Sequence, residues 1–151
     1  MAYLIGLHIV ASVIWVGGMF LAYMAVRPAA GQLDPPQRLN LWRGIFARFF
    51  PWVGAACVVL VGTGYAMIFV GSGGFSDAGA HIHIMQGTGL LMVALFGHLI
   101  AVPHRRLRNA LDAEDYPRAA KALGQIRRIV ATNMVLGLIT VVIGATGRYW
   151  N

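Results

Sequence analysis

Charge is scarce in this chain of 151 residues, and negative charge is the scarcest of all. Charged side chains make up 11% of the residues and only five of them are Asp or Glu, whereas 58% of the residues are hydrophobic. Soluble domains carry about 25% charged residues, so this composition excludes an ordinary soluble protein. The composition predicts an integral membrane protein.

Cysteine is nearly absent, since the chain has one, at position 57. A single thiol cannot form an intramolecular disulfide or a thiolate metal cluster. Cys57 lies in the middle of an apolar run, where we predict that it serves as a small apolar core residue.

Long apolar runs are what the sequence has in abundance. A hydrocarbon core of about 30 Å needs about 20 apolar residues per helix, and four runs are long enough, at residues 3–26, 49–70, 82–102 and 129–146. The sequence therefore predicts an all-α fold, with residues 1–151 forming one transmembrane domain, a four-helix antiparallel bundle. We expect Pro28 to end the first helix, and the aromatic, basic segment 39–52 to lie in the membrane interface ahead of the second.

The net charge of +7 is distributed unevenly along the chain. Eleven of the twelve Lys and Arg residues lie around the first and third links, namely Arg27, Arg38, Arg43, Arg48, Arg105, Arg106, Arg108, Arg118, Lys121, Arg127 and Arg128. The second link has none, and only Arg148 follows the fourth run. The positive-inside rule then puts both basic links in the cytoplasm and both termini on the outer, periplasmic side of a bacterial-type inner membrane. The basic links are expected to contact anionic lipid headgroups, not nucleic acid.

His8, near the start of the first run, is the residue that most needs an explanation. An ionisable side chain inside a membrane span is costly and usually faces the bundle interior, where it pairs or binds a cofactor. Trp15 lies seven residues later on nearly the same helix face. His81 and His83 open the third run, but residues two apart point about 200° from each other. We expect His83, farther inside the span, to be buried and His81 to lie at the rim.

The first and third helices both enter the membrane from the outer side, so His8 and His83 should lie at similar depth. Two imidazoles on neighbouring helices can ligate a haem b. Gly87 would leave space for the ring, and Arg148 and His81 are placed to pair with the propionates. Such a protein would have a redox role and would exchange electrons with a quinone or a periplasmic partner.

Copper is the alternative, because His81, His83 and Met85 form an HxHxM cluster near the outer surface. A thioether together with imidazole suits Cu(I), although Met85 and His81 share a helix face that His83 does not. No row of sulfur or imidazole continues down the third helix, where only Met92 and His98 follow. A further alternative is an accessory subunit of a membrane complex, and a homo-oligomer is compatible with any of these functions.

Four stretches of the sequence resemble a known family. The run LHIVASVIWVGGMF, the RFFP start of the second run, the HIHIM entry to the third and its FGHL…P…RRLR exit resemble the copper resistance D (CopD) family of small membrane proteins. More distantly, the pattern is similar to the HemJ-type protoporphyrinogen oxidases, four-helix proteins that bind haem b. That likeness implies haem ligands at His8 and His83 and a functional tryptophan at Trp15. It would make the protein a haem-dependent membrane oxidoreductase, except that Met85 stands where the HemJ-type pattern has the lysine associated with porphyrinogen oxidation.

Overall fold

The computed structural model describes residues 1–71, 73–76 and 78–150, except the side chain of Arg148. This part of the chain contains no strand, and four of its helices are long and apolar enough to cross a membrane. They are α1 (Ala2–Ala30), α2 (Pro35–Gly71), α3 (Ala80–Asp112) and α4 (Tyr116–Thr146), and a short 3-10 turn, Gly147–Tyr149, follows. The predicted all-α, four-helix membrane architecture is confirmed.

The two ends of the bundle differ in chemistry. The basic end carries the links at 31–34 and 113–115 together with most of the arginines. The terminal end carries Met1, Trp150 and the described residues of the link between α2 and α3. At the basic end an Arg43 nitrogen donates to an Asp112 carboxylate oxygen at 2.9 Å and so connects α2 with α3. Both side chains are exposed, so this ion pair adds little stability.

All four helices extend beyond the apolar runs, and one expected helix end is wrong. α1 continues through Pro28 to Ala30. Segment 39–52, which we expect in the membrane interface, is continuous with the rest of α2. A wide π-helical turn, Ala22–Val26, precedes Pro28, and another, Ile100–His104, contains Pro103. A wide turn relieves the clash between a proline ring and the preceding carbonyl, so the helix does not have to end there. The 37 residues of α2 span about 55 Å at 1.5 Å per residue, so this helix extends well past the hydrocarbon layer.

Tight packing is concentrated in the middle of the bundle and at its basic end. The basic-end core consists of Ala30, Leu39, Trp42, Phe46, Phe50, Leu99, Leu107, Ala110, Leu111, Ala119, Ala122, Leu123 and Ile126. The central core consists of Ala11, Trp15, Val16, Met19, Val53, Ala56, Cys57, Met92 and Met134. In contrast, no residue of 1–10 or 80–91 is fully buried. The terminal half of the bundle is therefore the more loosely packed half.

Candidate functional site

Polar side chains connect the helices pairwise in the terminal half. His8 Nδ1 lies 2.8 Å from Thr63 Oγ1 between α1 and α2, and Gln86 Nε2 donates to Tyr65 Oη at 3.0 Å between α3 and α2. The hydroxyls of Thr88 and Thr140 are hydrogen-bonded at 2.8 Å between α3 and α4. We call these six residues the polar layer. Polar groups at membrane depth are expensive and usually functional. Of these six residues only His8 was singled out from the sequence, and its bond to Thr63 was not predicted.

The hydrogen bonds around His8 determine which of its ring nitrogens is free. The Thr63 hydroxyl oxygen lies 2.6 Å from the carbonyl oxygen of Val59, a distance that requires the hydroxyl proton to point at that carbonyl. Thr63 Oγ1 must then accept its second hydrogen bond from the Nδ1–H of His8. The ring is left with a lone pair on Nε2. Metal-ligating histidines have this arrangement, with one ring nitrogen donating to a neighbour and the other available to the metal.

His81 and Met85 lie on the face of α3 that packs against the end of α4. A Cβ added to Gly144 would lie 2.8 Å from Met85 Cε, and a Cβ added to Gly147 would overlap the side chain of His81. The two residues are four apart, so they are neighbours one turn apart on the helix surface. The close approach of the chain at these two glycines leaves the imidazole of His81 and the thioether of Met85 on the same face of α3.

His83 lies elsewhere, and here the expected burial order is wrong. Its ring stacks on Phe75 in the 72–79 link, with 6.4 Å between ring centroids, and the residue is exposed. His81 is the more buried of the two, because its side chain is directed at α4 and contacts the region of Gly147 and Trp150. At the start of a helix, the face on which a residue lies decides its burial more than its depth does.

The residues considered for a haem site lie in different surroundings where the structure describes them. Among the described residues no hydrogen bond or ring contact joins the imidazoles of His8 and His83. Trp15 is 3% exposed in the central core, where its ring meets Phe96 edge-on. Gly87 has open space around it. The Arg148 side chain lies outside the described residues.

Buried sulfur is contributed by all four helices, which the expectation for the third helix alone did not include. Met19 on α1, Cys57 on α2, Met92 on α3 and Met134 on α4 are all buried in the central core. Asn133 joins this region, because its amide nitrogen donates to the carbonyl oxygen of Met92 at 3.1 Å. The sequence pattern of a single helix does not indicate this cluster, because each helix contributes only one of its four sulfur atoms.

Histidines, cysteine and carboxylates do not form a conventional metal cluster within the described part of the chain. The terminal half does contain imidazole and methionine sulfur on one helix face, at His81 and Met85. Such a ligand set favours a soft ion over the divalent ions that prefer carboxylates.

Four antiparallel membrane-long helices, with a polar layer and an imidazole–thioether pair in one half, define a multi-pass membrane protein with a polar site inside the bundle. The family model described as copper resistance protein D (CopD) matches residues 43–146, more than half of the sequence, and the chain belongs to that family. The matched region contains His81 and Met85 but not His8. No curated protein and no solved structure matches the chain. These comparisons show no likeness to the HemJ-type proteins.

Proposed function

We propose that this protein is a copper-handling membrane protein that receives Cu(I) as cargo at its terminal end. The observation that carries the proposal is that His81 and Met85 lie on one face of α3, against Gly147 of the 3-10 turn and Gly144 of α4. Imidazole with thioether is a ligand combination suited to Cu(I). Membership of the copper resistance protein D family supports the same ion.

The buried sulfur cluster supports the same proposal from inside the bundle. Met19, Cys57, Met92 and Met134 are soft donors in a region with few competing hard ligands. Methionine in a core is also a good packing residue, so burial alone would not distinguish the two roles. A copper role is favoured because each helix contributes one sulfur atom. These atoms lie deeper in the bundle than His81 and Met85, so an ion that enters from the terminal end would meet them next.

We further propose that the terminal end faces the outside of a bacterial-type inner membrane, because the arginines at the other end follow the positive-inside rule. A reporter enzyme that is active only in the cytoplasm, fused after residue 151, should give no signal. The same reporter inserted in the link at 31–34 should be active. The reverse pattern would contradict the orientation.

The experiment that tests the function is metal analysis with absorption spectroscopy on protein purified from cells supplied with both copper and haem precursors. We expect a colourless preparation that carries copper in proportion to protein. A Soret band that sharpens on reduction, with no copper, would reject the proposal and select haem.

Haem b is the second candidate, and the observation that favours it is the free Nε2 of His8. In that case His8 and His83 would hold the iron, and the redox partner would be a quinone or a periplasmic protein. The haem would supply the electron transfer, while Thr63 would hold the imidazole of His8 in the ligating tautomer.

Replacing Thr63 by valine separates the two candidates, because valine keeps the shape of threonine but cannot accept from His8 Nδ1. If His8 is a haem ligand, Thr63→Val should lower haem affinity by about 10- to 100-fold, while Thr63→Ser should keep it. If the cargo is Cu(I) at His81 and Met85, we expect both variants to retain wild-type copper affinity. A loss of copper affinity in Thr63→Val alone would place His8 in the copper site.

A further inference from the structure

Three arginines at the basic end act on one another electrostatically, and none of them forms an ion pair among the described residues. The charges of Arg27 and Arg38 both act on Arg127, so the three guanidinium groups belong to one electrostatic site. The one ion pair in the described part of the chain joins Arg43 with Asp112 and involves none of the three. Like charges held near one another raise the free energy of the site unless an anion lies between them.

Hydrogen-bond donors in the same place also lack acceptors. Within the described residues, Nε of Arg38, Nε of Arg127 and the indole Nε1 of Trp42 are buried and have no hydrogen-bond partner. Trp42 itself is only 4% exposed. Guanidinium and indole groups donate but do not accept. A ligand that satisfies them must therefore offer several acceptor atoms, and the arginines require it to be negatively charged.

An apolar cavity opens beside these groups. Arg27, Trp42 and Arg127 form part of its wall, and the rest is largely aromatic and aliphatic, including Phe46, Phe49, Phe50, Phe96 and Trp15. Its volume is about 40 Å³, room for roughly three water molecules at about 10–15 Å³ each. Water needs two to four polar partners in such a space, and most of the wall away from Arg27, Trp42 and Arg127 is apolar, so an apolar group suits that part of the cavity.

We propose that this is a binding site for one anionic phospholipid from the leaflet at the basic end. Its phosphate would lie among Arg27, Arg38 and Arg127 and accept from the Nε–H groups of the last two, because charge-assisted bonds to phosphate are the strong ones. Part of an acyl chain would enter the aromatic cavity. A single lipid supplies both the acceptor-rich anion and the apolar group, which a free phosphate ion does not.

The test uses tryptophan fluorescence, since Trp15 and Trp42 line the cavity. In a Trp52→Phe, Trp150→Phe background, whose other two tryptophans are removed, detergent-purified full-length protein is titrated with phosphatidylglycerol that carries brominated acyl chains. We expect saturable quenching, with an apparent affinity about tenfold higher than for brominated phosphatidylcholine. Arg127→Gln should remove this preference. Arg128→Gln makes the same charge change at the next position, on the exposed side of α4, and should retain it.

Several outcomes would overturn the proposal. Equal quenching by the two lipids would mean that the arginines act only as general surface charge. Equal loss of the phosphatidylglycerol preference in Arg127→Gln and Arg128→Gln would mean the same. Complete displacement by millimolar inorganic phosphate would identify a free-anion site instead. If Arg127→Gln lowers the melting temperature without lipid, Arg38→Gln provides the second variant, and an unchanged lipid preference there would likewise reject the site.

Discussion

The double variant His81→Ala, Met85→Leu should lose Cu(I) affinity by about 100-fold or more. Both substitutions remove a ligand atom, and even changes outside the ligand shell of a metal commonly cost 10- to 100-fold. Leucine has nearly the volume of methionine, so packing against Gly144 should be largely kept. The measurement is an anaerobic competition with a coloured Cu(I) chelator.

The control for this experiment is His98→Ala on the same helix. His98 is an exposed histidine seventeen residues beyond His81, about 25 Å along the helix at 1.5 Å per residue. Its removal should leave the affinity unchanged. A double variant that competes as well as the wild type, or a His98→Ala variant that loses as much affinity, would show that His81 and Met85 are not the receiving site.

Replacing Gly137 by alanine should destabilise the bundle by about 1–3 kcal/mol, the usual cost of overpacking. A Cβ at this position would lie 2.8 Å and 3.3 Å from the two methyl carbons of Val16 and 3.1 Å from Met92 Cε. Val16 is buried and β-branched, so its side chain has few alternative rotamers. The helices α1 and α4 would have to separate. Thermal unfolding in detergent provides the measurement.

Gly124 on the same helix is the matched control, since a Cβ there would have nothing within 4 Å. Gly124→Ala should leave stability unchanged or raise it by up to about 1 kcal/mol, because alanine favours the helix. Equal melting temperatures for the two variants would mean that the contact of α1 with α4 at Gly137 is not a tight one.

The helix count could be predicted because it depends on composition alone. A run of about twenty apolar residues is stable as a membrane helix. Cys57 is buried, as expected for a small apolar residue in such a run. Helix ends could not be predicted as well. Pro28 was expected to end α1, but the wide turn ahead of it makes room for the proline ring. Such turns have no clear sequence pattern.

The candidate site was harder to predict, because it depends on how the helices rotate against each other. That His81 is directed at α4 follows from Gly147 on another helix, not from the sequence around His81. A role for some residues can be recognised only from the contacts between helices. These residues are Thr63, Tyr65, Gln86 and the four with buried sulfur atoms. Spacing within one helix did predict that His81 and Met85 share a face, since that relation depends on helical periodicity alone.

The most direct test of the central claim is X-ray absorption at the copper edge on wild-type protein loaded anaerobically with one equivalent of Cu(I). The account predicts a nearest-neighbour shell that contains sulfur, together with the outer scattering of an imidazole ring, and a loss of the imidazole contribution in His81→Ala. A shell of oxygen or nitrogen without sulfur, or a wild-type spectrum unchanged in His81→Ala, would contradict it.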